Sequence, residues 1–145
     1  MTRKDPRHRA REVALQILYQ WEIGRRDVER AAETLFSEQW PDATPPSDEL
    51  RAFASSLARD TVERLDAIDP LIAETADRWR LERMAVLDRL ILRMAICELL
   101  RDGAPPPAVV INEALELART FSTEDAVKFI NGMLDAIRKK LEARA

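Results

Sequence analysis

The sequence predicts an all-α fold, a compact bundle of about seven helices, on three observations. Glycine is scarce, three in 145 residues, whereas the helix-favouring residues Ala, Leu, Glu and Arg dominate. Apolar residues recur at the three-to-four-residue spacing of a helix face through most of the chain. No segment reads convincingly as a strand. A hydrophobic fraction of 46% over 145 residues excludes a mainly disordered chain and is enough for one domain with a real core.

The first helix is predicted from Asp5-Pro6, a capping residue before a proline at the first helical position, to about Trp21, with Gly24 as the stop. Val13, Ala14, Ile17, Leu18 and Trp21 form its inward stripe. Asp27 is placed to cap a second helix running to about Glu38, with Val28, Ala31, Ala32, Leu35 and Phe36 facing inward and Trp40 closing it. Pro41, Pro45 and Pro46 make a linker, and Ser47 or Asp48 caps a third helix carrying Leu50, Phe53, Ala54, Leu57, Val62 and Leu65. Trp21 and Trp40 each extend an apolar stripe, which favours core aromatics over base-stacking rings.

Asp69-Pro70 is expected to restart helix toward Ala76. Trp79 then leads to a long central helix, Leu81 to Leu100, whose stripe of Leu81, Met84, Leu87, Leu90, Ile91, Met94 and Leu99 is wide enough to pack on several neighbours. Glu82 and Asp88 face roughly similar directions on its polar side, with Arg83, Arg89 and Arg93 between or beyond them. Two readings fit: ion pairing along a solvated face, or an acidic ledge for a basic protein. A paired-carboxylate enzyme is poorly supported, because no nucleophile or metal set accompanies these acids. Cys97 is the only cysteine, which excludes a disulfide within the chain and a multi-cysteine zinc site. Set among Ala95, Ile96, Leu99 and Leu100, it reads as a buried structural thiol.

Asp102-Gly103 and Pro105 to Pro107 turn the chain into Val109 to Ile137, where two amphipathic patterns meet at a polar joint. Val110, Ala114, Leu117, Ala118 and Phe121 face inward before the joint, and Val127, Ile130, Leu134 and Ile137 after it. Ser122 or Thr123 caps the last helix, with Glu124 and Asp125 in its first turn. Asp125, Lys128 and Phe129 then put an acceptor, a cation and an aromatic face within about one turn. That trio suits an unpaired base and its phosphate, or else is merely surface charge around a core ring. Gly132 inside the helix is read as a close helix crossing, and Asn112 and Asn131 as buried polar residues. Arg138, Lys139 and Lys140 lie near a helix end, where the dipole favours cations.

The net charge of -3 conceals an asymmetry. Residues 1 to 11 hold five basic side chains against Asp5 alone, a net +4, while the rest of the chain carries 18 basic and 25 acidic side chains, or -7. A basic arm on an acidic body suits a polyanion held locally. Arg7, Arg9 and Arg11 sit in the opening turns of a helix, against its dipole, so they call for compensation. Phosphate contact by guanidinium groups and a solvated charged end are both consistent with them. His8, the sole histidine, is read as an exposed side chain with no metal or catalytic role. The N-terminus lacks an apolar signal core, and Arg93 and Glu98 interrupt the richest apolar segment, so a soluble cytoplasmic protein is expected.

Three runs carry a family resemblance. RHRAREVALQILYQW, DRLILRMAICEL and VINEALELARTFSTEDAVKFINGMLD stand in the order and spacing of the signatures of the NusB family of bacterial transcription antitermination factors. The resemblance covers essentially the whole chain. It implies a single RNA-binding domain over residues 1–145, its N-terminal half 1–66 and C-terminal half 67–145 being two roughly perpendicular helical bundles, without enzymatic activity or cofactor. It further implies binding to the boxA element of nascent ribosomal RNA together with the ribosomal protein NusE, and assembly with other factors on RNA polymerase. By resemblance, Arg7, Arg9 and Arg11 fall on an arginine-rich RNA-binding arm, Asp125, Lys128 and Phe129 on a second part of the RNA surface, and Glu82 and Asp88 on NusE-facing positions. Two departures, His8 within the arm and Pro107-Ala108 before the third run, remove RNA-facing potential.

Three other functions compete with this one. A homodimer that covers its own RNA surface is the main alternative. A methyltransferase is disfavoured by the lack of a glycine-rich cofactor loop and a catalytic-cysteine motif, and a DNA-binding regulator by the lack of a clear recognition helix.

Overall fold

The computed structural model describes residues 6–76 and 81–144, with the side chain of Glu82 outside the described set. Asp5, the expected cap of the first helix, and Trp79 also lie outside it, as do the basic residues Arg3 and Lys4. Among the described residues there are seven α-helices, one 3-10 turn and no strand, so the all-α expectation holds. The chain divides into two units, Met1–Val62 and Glu63–Ala145.

The first unit carries α1 (Pro6–Ile23), α2 (Val28–Ser37) and most of α3 (Asp48–Glu63). Val13, Ala14, Ile17 and Leu18 are buried on α1, as their spacing requires, and Ala31, Ala32 and Leu35 on α2. α1 runs two residues past Trp21 and stops at Gly24, where an added Cβ would lie 2.6 Å from the Gln20 carbonyl oxygen. Asp27 occupies the N-cap position of α2 but makes no capping bond with its side chain. Ser47 does cap α3, its Oγ accepting from the Leu50 N–H at 3.1 Å. Trp21 and Trp40 are half-buried rather than core residues.

The second unit carries α4 (Leu65–Ala76), a 3-10 turn (Leu81–Arg83), α5 (Val86–Leu100), α6 (Pro107–Phe121) and α7 (Glu124–Arg144). α5 packs on α4, α6 and α7. Its residues from Arg89 to Cys97, and Glu98 after them, are all buried, which is the wide stripe carried round most of the helix. Cys97 is fully buried among them.

Three boundaries in this unit differ from the sequence expectation. α4 begins at Leu65, not at Asp69-Pro70, because the Arg64 carbonyl already accepts from the Ala67 and Ile68 N–H groups; Pro70 sits inside the helix on its exposed side. Asp69 is therefore no cap. Its carboxylate takes both Nε and Nη2 of Arg93 on α5, at 2.9 and 3.0 Å. The expected single helix from Leu81 breaks at Met84-Ala85, and the Arg89 guanidinium donates to the Leu81 carbonyl at 3.0 Å across the break. Arg89 and Arg93 are thus buried structural cations, which corrects the solvated-face reading of this helix. α6 opens with Pro107 in its first turn, after Gly103 takes the positive φ of 71° that an L side chain disfavours.

The joint between α6 and α7 divides its labour. Thr123 caps α7, its Oγ1 accepting from the Ala126 N–H at 3.1 Å. Ser122 ends α6, and its hydroxyl donates to Asp88 on α5 at 2.6 Å. Phe121, expected to face inward, is 36% exposed at the end of α6. Gly132 is exposed with nothing within 4 Å of an added Cβ, so no close crossing occurs there, and Asn112 and Asn131 are exposed rather than buried. Among the described residues no helix is long and apolar enough to cross a membrane.

Candidate nucleic-acid interface

Two groups of candidate residues lie one in each unit. In the first unit the arginines of α1 meet rings and acids from α3 and the segment before it. Arg7 lies over the Phe53 ring, 4.1 Å from its centroid, with its Nη2 3.9 Å from Glu49. Arg9 lies over Trp40 at 5.3 Å, between Glu12 and Asp42, each 3.7 Å away. Arg11 differs: it is buried, with its guanidinium 5.4 Å from the Phe53 centroid, so in this conformation it underlies the arm instead of meeting a phosphate from solvent. His8 is half-buried beside Glu12, 3.9 Å away, rather than exposed.

These contacts answer the electrostatic question that the opening turns raise. α1 has no acidic residue in its first turn, so nothing there offsets the unfavourable placement of cations at the positive end of the dipole. Glu12, Asp42 and Glu49 supply the missing charge from within the unit, and Trp40 and Phe53 add guanidinium–ring contacts. The Trp40 ring is itself held, by its Nε1 donating to the Thr44 carbonyl at 3.0 Å and by Phe36 at a centroid distance of 5.7 Å.

In the second unit Asp125 and Phe129, one turn apart on α7, line a cavity of about 280 Å3. Arg83, Met84, Ala85, Asp88, Thr123 and Ala126 complete its lining. Asp125 is exposed and Phe129 half-buried, so an acceptor stands at the surface beside part of a ring. Lys128 is exposed on α7 but does not line the cavity. Asp88 lines the same cavity as Asp125 and Phe129 even though the resemblance places it on a different partner's surface; one of its oxygens already accepts from Ser122. Glu82 lies in the 3-10 turn with its side chain outside the described set.

Arg83 is the residue that periodicity passed over. A helical wheel through residues 81–100 assumes an unbroken helix, and the break at Met84-Ala85 resets the angle at which Arg83 projects. It stands exposed at the cavity wall, giving the site a cation from outside α7.

These parts define a small all-helical binding protein: rings, acceptors and guanidinium groups presented on helix ends and turns. The NusB family model matches residues 8–139. A transcription antitermination protein NusB from Solibacter usitatus is 46% identical over 139 residues, covering 93% of this chain and 90% of the relative. Among solved structures, T. maritima NusB is 36% identical with a TM-score of 0.82, covering 94% of this chain and 93% of that one. The fold is also shared, at 24% identity and a TM-score of 0.81 over 93% of this chain and 97% of the other, with a crystal structure of the antitermination factors NusB and NusE in complex with double-stranded RNA. The chain belongs to the NusB family, whose members are transcription antitermination factors and not enzymes.

Proposed function

We propose that this chain binds a boxA-like single-stranded element of nascent ribosomal RNA together with the ribosomal protein NusE, and through that pair joins an antitermination complex on RNA polymerase. The observation that carries the reading is the α5–α7 cavity, where Phe129, Asp125 and Arg83 offer a stacking face, a base-edge acceptor and a phosphate-seeking cation in one place. Lys128 adds charge beside it, and Arg7 and Arg9 supply phosphate contact from the first unit. The mechanism is assembly rather than chemistry: if NusE and RNA each favour the other's binding, the coupling is reciprocal.

Glu82 and Asp88 are the proposed NusE-facing acids. Because Asp88 also lines the RNA cavity and is pinned by Ser122, its replacement is expected to disturb both partners, whereas replacement of Asp125 disturbs RNA alone.

The test is titration of a boxA-like RNA against the protein with and without NusE. Arg7→Glu with Arg9→Glu should abolish RNA binding and leave NusE binding intact. Phe129→Leu should weaken RNA binding by roughly tenfold, within the range of a lost base–ring stack. Unchanged RNA titrations by both variants would overturn the proposed RNA surface, whereas a homodimer in sedimentation that dissociates only when RNA is added would favour self-association that covers it.

A further inference from the structure

Arg7 and Arg9 each have two kinds of neighbour, and they compete differently with RNA. A ring holds the flat face of a guanidinium and leaves its in-plane N–H donors available. A carboxylate competes for those same donors, as a phosphate does. Arg9 has Trp40 as its ring and Asp42 as an acid at 3.7 Å; Arg7 has Phe53 and Glu49, the latter at 3.9 Å. The acids are not equivalent. The Glu12 side chain, 3.7 Å from Arg9, is only 4% exposed, whereas those of Asp42 and Glu49 are 57% and 85% exposed. Their contacts with the arginines are longer than hydrogen bonds and screened by water, so they are cheaply exchanged.

We infer that Asp42 and Glu49 are built-in phosphate surrogates. They hold Arg9 and Arg7 against Trp40 and Phe53 in the absence of RNA and are displaced by the phosphates of the bound strand. Glu12 and the rings keep their places and set where the guanidinium groups present their donors. Asp42 and Glu49 thereby lower the affinity of the arm while keeping it ordered, and Trp40 is a positioning residue for Arg9. This inference rests on the arm being an RNA-binding element.

The experiment is anisotropy titration of a labelled boxA-like RNA with the full chain at two salt concentrations. Asp42→Asn and Glu49→Gln should each tighten binding by about two- to fivefold, the exchange cost of an exposed ion pair. Both should also steepen the salt dependence, since the displaced carboxylate no longer takes up a cation. Glu29→Gln removes the same charge at the far end of α2 from Trp40 and should change affinity less than either. Trp40→Leu should weaken binding, with Trp40→Phe restoring most of it, while thermal unfolding confirms that all variants are folded.

If Asp42→Asn and Glu49→Gln bind no tighter than Glu29→Gln, the surrogate role is overturned. If, instead, Arg7→Glu with Arg9→Glu leaves RNA binding of the parent chain unchanged, the arm itself is not the RNA element. The two failures are therefore distinct.

Discussion

Asp69 stands where sequence offers two good jobs, a helix cap before proline or a partner for a distant cation, and the fold assigns it the second. Its two oxygens meet two nitrogens of Arg93, whose side chain is 10% exposed against 28% for Asp69. A bidentate pair in that setting contributes chiefly by keeping a buried guanidinium satisfied. Asp69→Asn is expected to destabilise the protein by about 2 kcal/mol, read from denaturant unfolding, because it removes the charge while preserving the shape. A loss under a few tenths of a kcal/mol would mean that Arg93 is satisfied elsewhere. Ser122 and Arg11 teach the same lesson. Ser122 is one of two residues that can cap α7 and Arg11 shares the charge pattern of the arm, yet the first holds Asp88 and the second lies buried near Phe53.

α7 separates what helix periodicity predicts well from what it does not. Ile130, Leu134 and Ile137 are buried at their expected spacing, and Thr123 caps the helix as one of the two candidates. Gly132 suggests a close helix crossing from sequence, but nothing lies within 4 Å of an added Cβ, and that open space makes a sharp prediction. Gly132→Ala should stabilise the protein by up to about 1 kcal/mol, because the change lowers backbone entropy in the unfolded chain and meets nothing in the folded one. Thr123→Ala should cost about 1 kcal/mol by removing the bond to the Ala126 N–H. Thermal or denaturant melts of the two variants, run together, test both signs. A glycine inside a helix says only that a side chain is absent; whether a neighbour fills the gap depends on packing that the helix's own residues do not encode.

At the scale of the whole molecule, the arm's net +4 and the remaining -7 make electrostatics local. With Arg7, Arg9, Arg83 and Lys128 as the proposed phosphate contacts, the logarithm of RNA affinity should fall against that of salt with a slope no steeper than about -3, made shallower by cation uptake at the displaced Asp42 and Glu49 and checked by titration between low and physiological salt. A slope near zero would remove phosphate contact from the account. Helix number and most inward-facing stripes were legible because a 3.6-residue period, prolines and capping residues act within a few positions of one another. The family resemblance was legible for the same reason, in three contiguous runs. What tertiary structure alone decided was pairing: Asp69 with Arg93, Ser122 with Asp88, Asp42 with Arg9, and Arg83 with the cavity of Asp125 and Phe129. Each joins residues more than twenty positions apart, where a charge or hydroxyl has many allowed partners along the chain and packing selects one.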